Sequence, residues 1–402
     1  MRGTTVPTSL DISLATIAGI CTWKLGGGSC KQVFQAEKKD SASMESSSVK
    51  ILSRILSFLI GVLMFIAFTI FHLGPSQKIF RIMIWFKYQK RAVNVKYVEC
   101  NDYRFCYFSR GQPGLQPSLL MLHGFLFSKD MWLNAIKGHE LELVIVFQYI
   151  KFSTCWLTTH LIQSDVMFSQ LFPKDLHLVC VDMPGHGETT CLEEENYAAA
   201  AQAEKIHQFV ECIGLNRQPF HLVGISMGGM VAGLYAALYP SDVCCLSLLC
   251  PAGLRFPAGN GPMKQLKKRA HSTKPHSFLK LGFYNPSLTN VQLLKGYLEA
   301  SKLNASFCVK YFLDISSPTS KHSLHDNLNK IKAPTQIIWG KNDQVIDPSG
   351  AEILGNAIAN SQVHMVEKCG HFIVLDRPRR SAKLLLEFYQ SVCGPLENKL
   401  WG

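Results

Sequence analysis

Residues 220–229 read FHLVGISMGG. Phe220 to Val223 form a short strand candidate, and Met227 to Leu238 carry the small and apolar residues of a buried helix. Between them stand Gly224, Ser226 and Gly228, the GxSxG pattern in a strand–turn–helix context. So tight a turn strains the backbone of Ser226, and its neighbours two residues away must be glycine for strand and helix to approach. The hydroxyl is thereby presented at a helix N-terminus, whose dipole favours a developing oxyanion. A structural Gly-Ser turn is the bland alternative; the flanking strand and helix argue for a nucleophile.

A serine nucleophile needs a base, and the base needs an orienting carboxylate. In chain order after a GxSxG turn the acid comes before the histidine. His371, in Cys369-Gly370-His371, ends a strand-like run and precedes the last helix, so its loop can carry a base back over Ser226. Asp343 lies just past the apolar run Ile337-Ile338-Trp339. Asp347 is the competing acid, read instead as the cap of the helix that follows. His123-Gly124-Phe125 follows the strand at 118–122, and the backbone N–H groups of Phe125 and Met227 are the expected oxyanion hole. His123 is read as a brace of that loop. The turn Asp182-Met183-Pro184-Gly185-His186-Gly187 is assigned a fold-defining role and no chemistry. His177 and Asp182 have HxxxxD spacing, but five residues apart on a strand they face opposite sides.

Beyond Lys96 short strands alternate with helices, which predicts an α/β domain over 96–396 with a mostly parallel sheet of about eight strands flanked by helices. Strands are expected at Tyr103–Phe108, Ser118–Leu122, His177–Asp182, Phe220–Val223, Val243–Leu249, Thr335–Trp339 and Gln362–Val366. Helices are expected near Tyr197–Ile213, Met227–Leu238, Gly350–Ile358 and Arg380–Val392. From 251 to 323 the strands stop and a Lys-rich helical stretch intervenes, a cap inserted into the sheet domain. Within it Phe278, Leu279, Leu281, Phe283 and Tyr284 form an apolar cluster, either cap core or a membrane-dipping patch.

The 402 residues carry a net charge of +12, with 47% apolar and 17% charged residues. No nucleic-acid motif accompanies the charge. The basic excess gathers after the most apolar segment and at Lys264, Lys267, Lys268 and Arg269, which favours an anionic membrane surface as partner. The fourteen cysteines include no CxxC and no metal-ligand spacing with histidine, and strand-like positions for Cys180, Cys244 and Cys245 suit buried thiols in a reducing compartment. Residues 1–50 read as a disordered extension. Ile55 to Leu73 is 19 residues without a charge, about 30 Å of helix, and reads as a single transmembrane span. Lys78, Arg81, Lys87, Lys90 and Arg91 outnumber Lys50 and Arg54, so the domain is expected to face the cytosol.

Taken together, HGF, DMPGHG, GISMGG, GKND and CGH resemble the α/β-hydrolases, and within them the membrane-anchored monoacylglycerol lipases. Longer phrases that carry this closer likeness are Asp130-Met131-Trp132-Leu133, His177–Pro184, Ile206–Cys212 and Pro334–Gly340. The resemblance implies the α/β-hydrolase fold and cleavage of monoacylglycerols, 2-arachidonoylglycerol among them, and of some lysophospholipids. It puts nucleophile, acid and base on Ser226, Asp343 and His371. No metal or organic cofactor is needed for such chemistry. A reading from another class is a membrane adaptor that binds partner proteins while the triad idles; an intact triad argues against that as the sole function.

Residues 138–170 do not fit the pattern. His123 and Asp182 flank one strand-to-strand unit yet stand 59 residues apart, where a crossover needs only about 10–12 or somewhat more. The segment is apolar and β-branched with no catalytic motif, and it reads as a retained intron or alternative exon ahead of a membrane-contacting or partner-binding element. Because it enters well after the HGF loop, a 138–170 deletion variant is expected to be at least as soluble and active as the full chain. Loss of folding or of activity in that variant would make the segment part of the enzyme.

Overall fold

The computed structural model describes residues 53, 55–62, 76–135, 172–173, 175–192, 194–257, 281–285 and 305–394. The 1–50 extension, residues 63–73 of the expected span, the 138–170 segment, the basic run from Lys264 to Arg269, and Phe278 and Leu279 lie outside them. The chain divides into two compact units, residues 1–68 and 69–402. In the first, Ile55 to Val62 are helical and exposed. Among the described residues no helix is long and apolar enough to cross a membrane.

The second unit is built on an eight-stranded sheet: β1 (Asn94–Cys100), β2 (Tyr103–Arg110), β3 (Leu119–Leu122), β4 (Leu178–Val181), β5 (Phe220–Ile225), β6 (Val243–Leu249), β7 (Thr335–Gly340) and β8 (Ser361–Val366), in the order β1-β2-β4-β3-β5-β6-β7-β8. β1 and β2 pair antiparallel, as do β2 and β4; every other pairing is parallel. β3, β4, β5 and β7 are buried along their whole length, as strands covered on both faces must be. The helices are α1 (Ser76–Arg91), α2 (Ala199–Cys212), α3 (Met227–Leu238), α4 (Ala305–Ile315), α5 (Gly350–Ala357), α6 (Ile373–Asp376) and α7 (Pro378–Cys393). Each expected strand and helix is present within about two residues, the usual boundary error. β1 was not anticipated. It is an edge strand exposed along most of its length, so its sequence NVKYVEC carries no core-facing alternation.

Between β3 and β4 a 3₁₀ segment at Lys129–Ala135 seats Met131, Trp132 and Leu133 in the core. Its anchor is ionic. The Lys129 ammonium lies 2.9 Å from a carboxylate oxygen of Asp182, just past β4, and both side chains are buried. Asp182 also accepts the backbone N–H groups of Lys129 at 2.7 Å and Glu188 at 3.0 Å. Burial alone would lower the Lys129 pKa, but Asp182 and Asp130 outweigh it and hold the ammonium well above its ordinary value. Burial likewise works against the Asp182 carboxylate, and Lys129 overrides it to hold that group below its usual range. Tyr88 of α1 donates to Asp130, fixing α1 to this anchor, while Ile82, Trp85 and Phe86 of α1 point to solvent.

On the face of the sheet beneath α7 runs a row of buried polar groups. Ser247 donates to Gln336 Oε1 at 3.3 Å, and Gln336 donates to the Leu384 carbonyl at 3.0 Å. With its proton so committed, the Ser247 hydroxyl accepts from His221 Nε2 at 2.8 Å.

Removing the Lys129 charge leaves the Asp182 carboxylate buried without its counterion. Lys129→Met is therefore expected to cost about 3–5 kcal/mol of stability, read as a lowered denaturation midpoint. A midpoint unchanged from that of the parent chain would show that the backbone donors alone sustain the carboxylate.

Candidate active site

Ser226 sits at φ 56° and ψ −117°, between β5 and the first turn of α3. For a residue with a Cβ this is a strained backbone, held in place by what surrounds it. The Ser226 N–H donates to the Leu249 carbonyl of β6, and its own carbonyl accepts from Met230 and Ala252. The glycines on either side have no room for a side chain. A Cβ on Gly228 would stand 2.4 Å from the His123 carbonyl oxygen and 2.5 Å from that of Leu122. One on Gly224 would stand 2.3 Å from the Gly228 carbonyl oxygen. Helix α3 thus rests directly on the end of β3.

His371 reaches Ser226 from the loop after β8. Its Nε2 is 2.8 Å from Ser226 Oγ and its Nδ1 2.8 Å from Asp343 Oδ2. The other carboxylate oxygen of Asp343 is filled by the N–H groups of Val345 at 2.8 Å and Ile346 at 3.0 Å. An ionised carboxylate can only accept, so Nδ1 carries the proton and Nε2 is left as the base facing the serine hydroxyl. Both His371 and Asp343 are buried. Asp347 takes no part: its carboxylate accepts from the Ser349 N–H at 2.9 Å. It was expected to cap α5, but the residue at that N-cap is Ser349, and Asp347 ties the turn leading into it.

The HGF loop lies against the nucleophile, since a Cβ on Gly124 would come within 3.3 Å of Ser226 Cβ. The Phe125 N–H meets no acceptor among the described residues. The Met227 N–H is the first of α3, where a helix offers no internal partner. His123 accepts the Met183 N–H on Nε2 at 2.9 Å and donates from Nδ1 to the Gly124 carbonyl at 2.8 Å, bracing the loop from below.

Three contributors went unread in the sequence. Asp376 accepts from the N–H groups of Gly370 and Tyr284, each at 2.8 Å, and so fixes the loop that carries His371. Cys250 donates its thiol to the His371 carbonyl at 3.1 Å. Tyr311 of α4 is fully buried, stacks on Phe125 with ring centres 5.3 Å apart and donates to Gln202. Phe307, one turn before Tyr311, meets His186 and Tyr197 edge-on. Tyr311 also reaches Met227 Sδ at 2.8 Å, so Phe125, Met227, Tyr311 and Phe307 form one apolar cluster at the start of α3. Only an aromatic pair one helical turn apart hinted at this in the sequence, and such pairs are usually ordinary core. Of the apolar cluster at 278–284, Leu281 and Phe283 pack on the core, Phe283 edge-on to Phe372 at 5.2 Å, while Tyr284 is exposed.

A model of the alpha/beta hydrolase fold family matches residues 152–378. The chain belongs to the α/β-hydrolase family. Among its relatives this hydrolase is 44% identical over 353 residues to a rat (Rattus norvegicus) protein named monoacylglycerol lipase ABHD6, covering 85% of this chain and 94% of the rat protein. The human protein of the same name is 43% identical, with the same coverage. Among solved structures, a bacterial membrane phospholipase A described as a virulence factor superposes with a TM-score of 0.61 at 25% identity, over 85% of this chain and 99% of that one. A putative lipase from Acinetobacter baumannii AYE gives the same TM-score at 23% identity, over 78% and 96%, a likeness of fold.

Two histidines packed against each other at the HGF loop are fully buried. Burial pushes His123 down to about 4 and His186 to about 3. Their folded values lie below the unfolded one of about 6.5, so below that pH the unfolded chain binds more protons. Stability is then complete above about pH 6.5 and lost as pH falls from there towards about 4. The melting temperature of the hydrolase should accordingly fall across that window, and a flat profile would contradict neutral, buried imidazoles.

Proposed function

We propose that this chain is a membrane-associated serine hydrolase that cleaves monoacylglycerols to fatty acid and glycerol, and lysophospholipids as secondary substrates. The observation that carries the reading is the continuous relay Asp343–His371–Ser226, with two contacts of 2.8 Å, beside the amides of Phe125 and Met227. In this reading His371 Nε2 takes the Ser226 proton as Oγ attacks the ester carbonyl. Asp343 holds the imidazolium that forms. The Phe125 and Met227 amides receive the oxyanion, aided by the N-terminus of α3. His371 then returns the proton to the glycerol oxygen as it leaves, and activates the water that releases the fatty acid from Ser226.

The relatives named as monoacylglycerol lipases support the substrate class, and so does the apolar wall of Phe125, Met227, Tyr311 and Phe307. Membrane association rests on the uncharged Ile55–Leu73 segment and on α1. Exposed Ile82, Trp85 and Phe86 share α1 with Lys78, Arg81 and Lys87, the composition of an interfacial helix. Because its Tyr88 is anchored to Asp130, α1 would hold the hydrolase domain close to the lipid surface. The basic residues that follow the apolar segment support a cytosolic orientation of that domain.

The decisive experiment is a panel of monoacylglycerols, lysophospholipids and short soluble esters, run on the parent chain and on Ser226→Ala. Long-chain monoacylglycerols are expected to be cleaved best. Ser226→Ala should abolish hydrolysis and labelling by a fluorophosphonate while the protein stays folded. Asp343→Asn should lower kcat by about 10⁴-fold, and Asp347→Asn should leave it within a few-fold of normal. Fluorophosphonate labelling that persists in folded Ser226→Ala would sink the assignment, and a preference for short soluble esters would sink the substrate class.

A further inference from the structure

Cys244 and Cys245 are consecutive residues of β6, where pleating ordinarily sends neighbouring side chains to opposite faces. Here it does not. The pairing of β5 with β6 passes from Phe220–Val243 directly to His221–Cys245, so Cys244 is an extra residue, a β-bulge. The bulge re-aims Cys244 and brings its thiol to that of Cys245, and Cys393, the last residue of α7, closes the group. All three Sγ–Sγ separations are 3.9 Å. The centre of such a triangle stands about 2.3 Å from each sulfur, the length of a metal–thiolate bond.

The three thiols belong to no disulfide and none contacts the relay. Cys245 is buried, while Cys244 and Cys393 are half-buried, so an ion at the centre is sheltered yet reachable. Among the described residues no fourth cysteine, histidine or carboxylate joins the three within 4.8 Å. A structural zinc site would have four ligands in a tetrahedron. A three-sulfur set suits a soft ion of low coordination number, and thiolates select Cu(I). His221, paired with Cys245 across the strands, donates from Nε2 to Ser247, which leaves Nδ1 as a buried lone pair without a partner. Its ring stacks on Tyr389, one helical turn before Cys393.

We propose that Cys244, Cys245 and Cys393 form a three-coordinate thiolate site for a single cuprous ion, which clamps the end of α7 to β6. On binding, the three S–H bonds break, their protons pass to solvent and three S–Cu bonds form; copper enters and stays as Cu(I), so nothing is oxidised or reduced. Nothing in the sequence spacing announces the site, because one ligand lies 148 residues from its neighbour and the other two depend on a bulge.

The test is an anaerobic titration of the full reduced chain, in mild detergent, with Cu(I) against a chromogenic Cu(I) chelator. One equivalent should be retained, with three sulfurs at about 2.3 Å by X-ray absorption and a raised melting temperature. Cys245→Ser and Cys393→Ser should each weaken retention by more than the roughly 10–100-fold that loss of an outer-shell partner costs. Both variants should keep esterase activity, which shows them folded. Cys191→Ser/Cys212→Ser, which removes two exposed thiols, should leave retention intact. The proposal is overturned if the chelator strips all copper from the parent chain, or if Cys245→Ser and Cys393→Ser retain copper as the parent does. A nitrogen in the metal shell overturns it as well.

Discussion

Helix α3 starts against the end of β3 with nothing between them. Gly228 lies on the carbonyl oxygens of Leu122 and His123, and Gly224 on the carbonyl of Gly228, so the contact is backbone on backbone. That approach forces Ser226 to a positive φ and turns its hydroxyl out of the sheet. It also sets the HGF loop beside the nucleophile, with Gly124 lying against Ser226. Any side chain at 228 would push these apart and dissolve the site without touching a catalytic group.

The approach needs support from beneath, and two buried polar devices provide it. His123 takes the Met183 N–H and gives its own proton to Gly124, so the turn after β4 holds the loop after β3. One residue earlier Asp182 binds Lys129 and two backbone amides, which locks the segment that continues the HGF loop. The turn DMPGHG therefore does more than end a strand: it braces the HGF loop. These groups work only while they stay dry, because a histidine that must remain neutral and an ion pair that must remain paired both fail in water.

The same logic reaches the base. His371 rides on a loop that Asp376 grips through the Gly370 amide and ties to residues 281–285 through the Tyr284 amide, with the Phe372 N–H donating to the Gly282 carbonyl. The stretch between β6 and β7 thus has two roles. Its 281–285 piece steadies the histidine, and α4 packs Tyr311 against Phe125 and Met227. Through its stack on Tyr311, the Phe125 ring is held by α4.

Much of this was legible in the chain itself. The GxSxG turn, the acid after one strand and the histidine after the next depend on local geometry at strand ends, so FHLVGISMGG, GKND and CGH name Ser226, Asp343 and His371 without help. The parallel strands were legible for a like reason, since burial on both faces leaves continuous apolar runs. The edge strand β1 was not, because exposure removes the periodicity that marks a strand. Nor were Asp376, Tyr311 and Lys129, ordinary residues in unremarkable stretches until the fold brings them to a loop, a ring or a carboxylate. The three thiols of Cys244, Cys245 and Cys393 make the division plain. Sequence spacing argues against a cluster, and only a bulge in β6 and the return of α7 along the sheet bring the sulfurs together. Local backbone constraint is written in neighbouring residues; proximity across the sheet is decided by how the strands register.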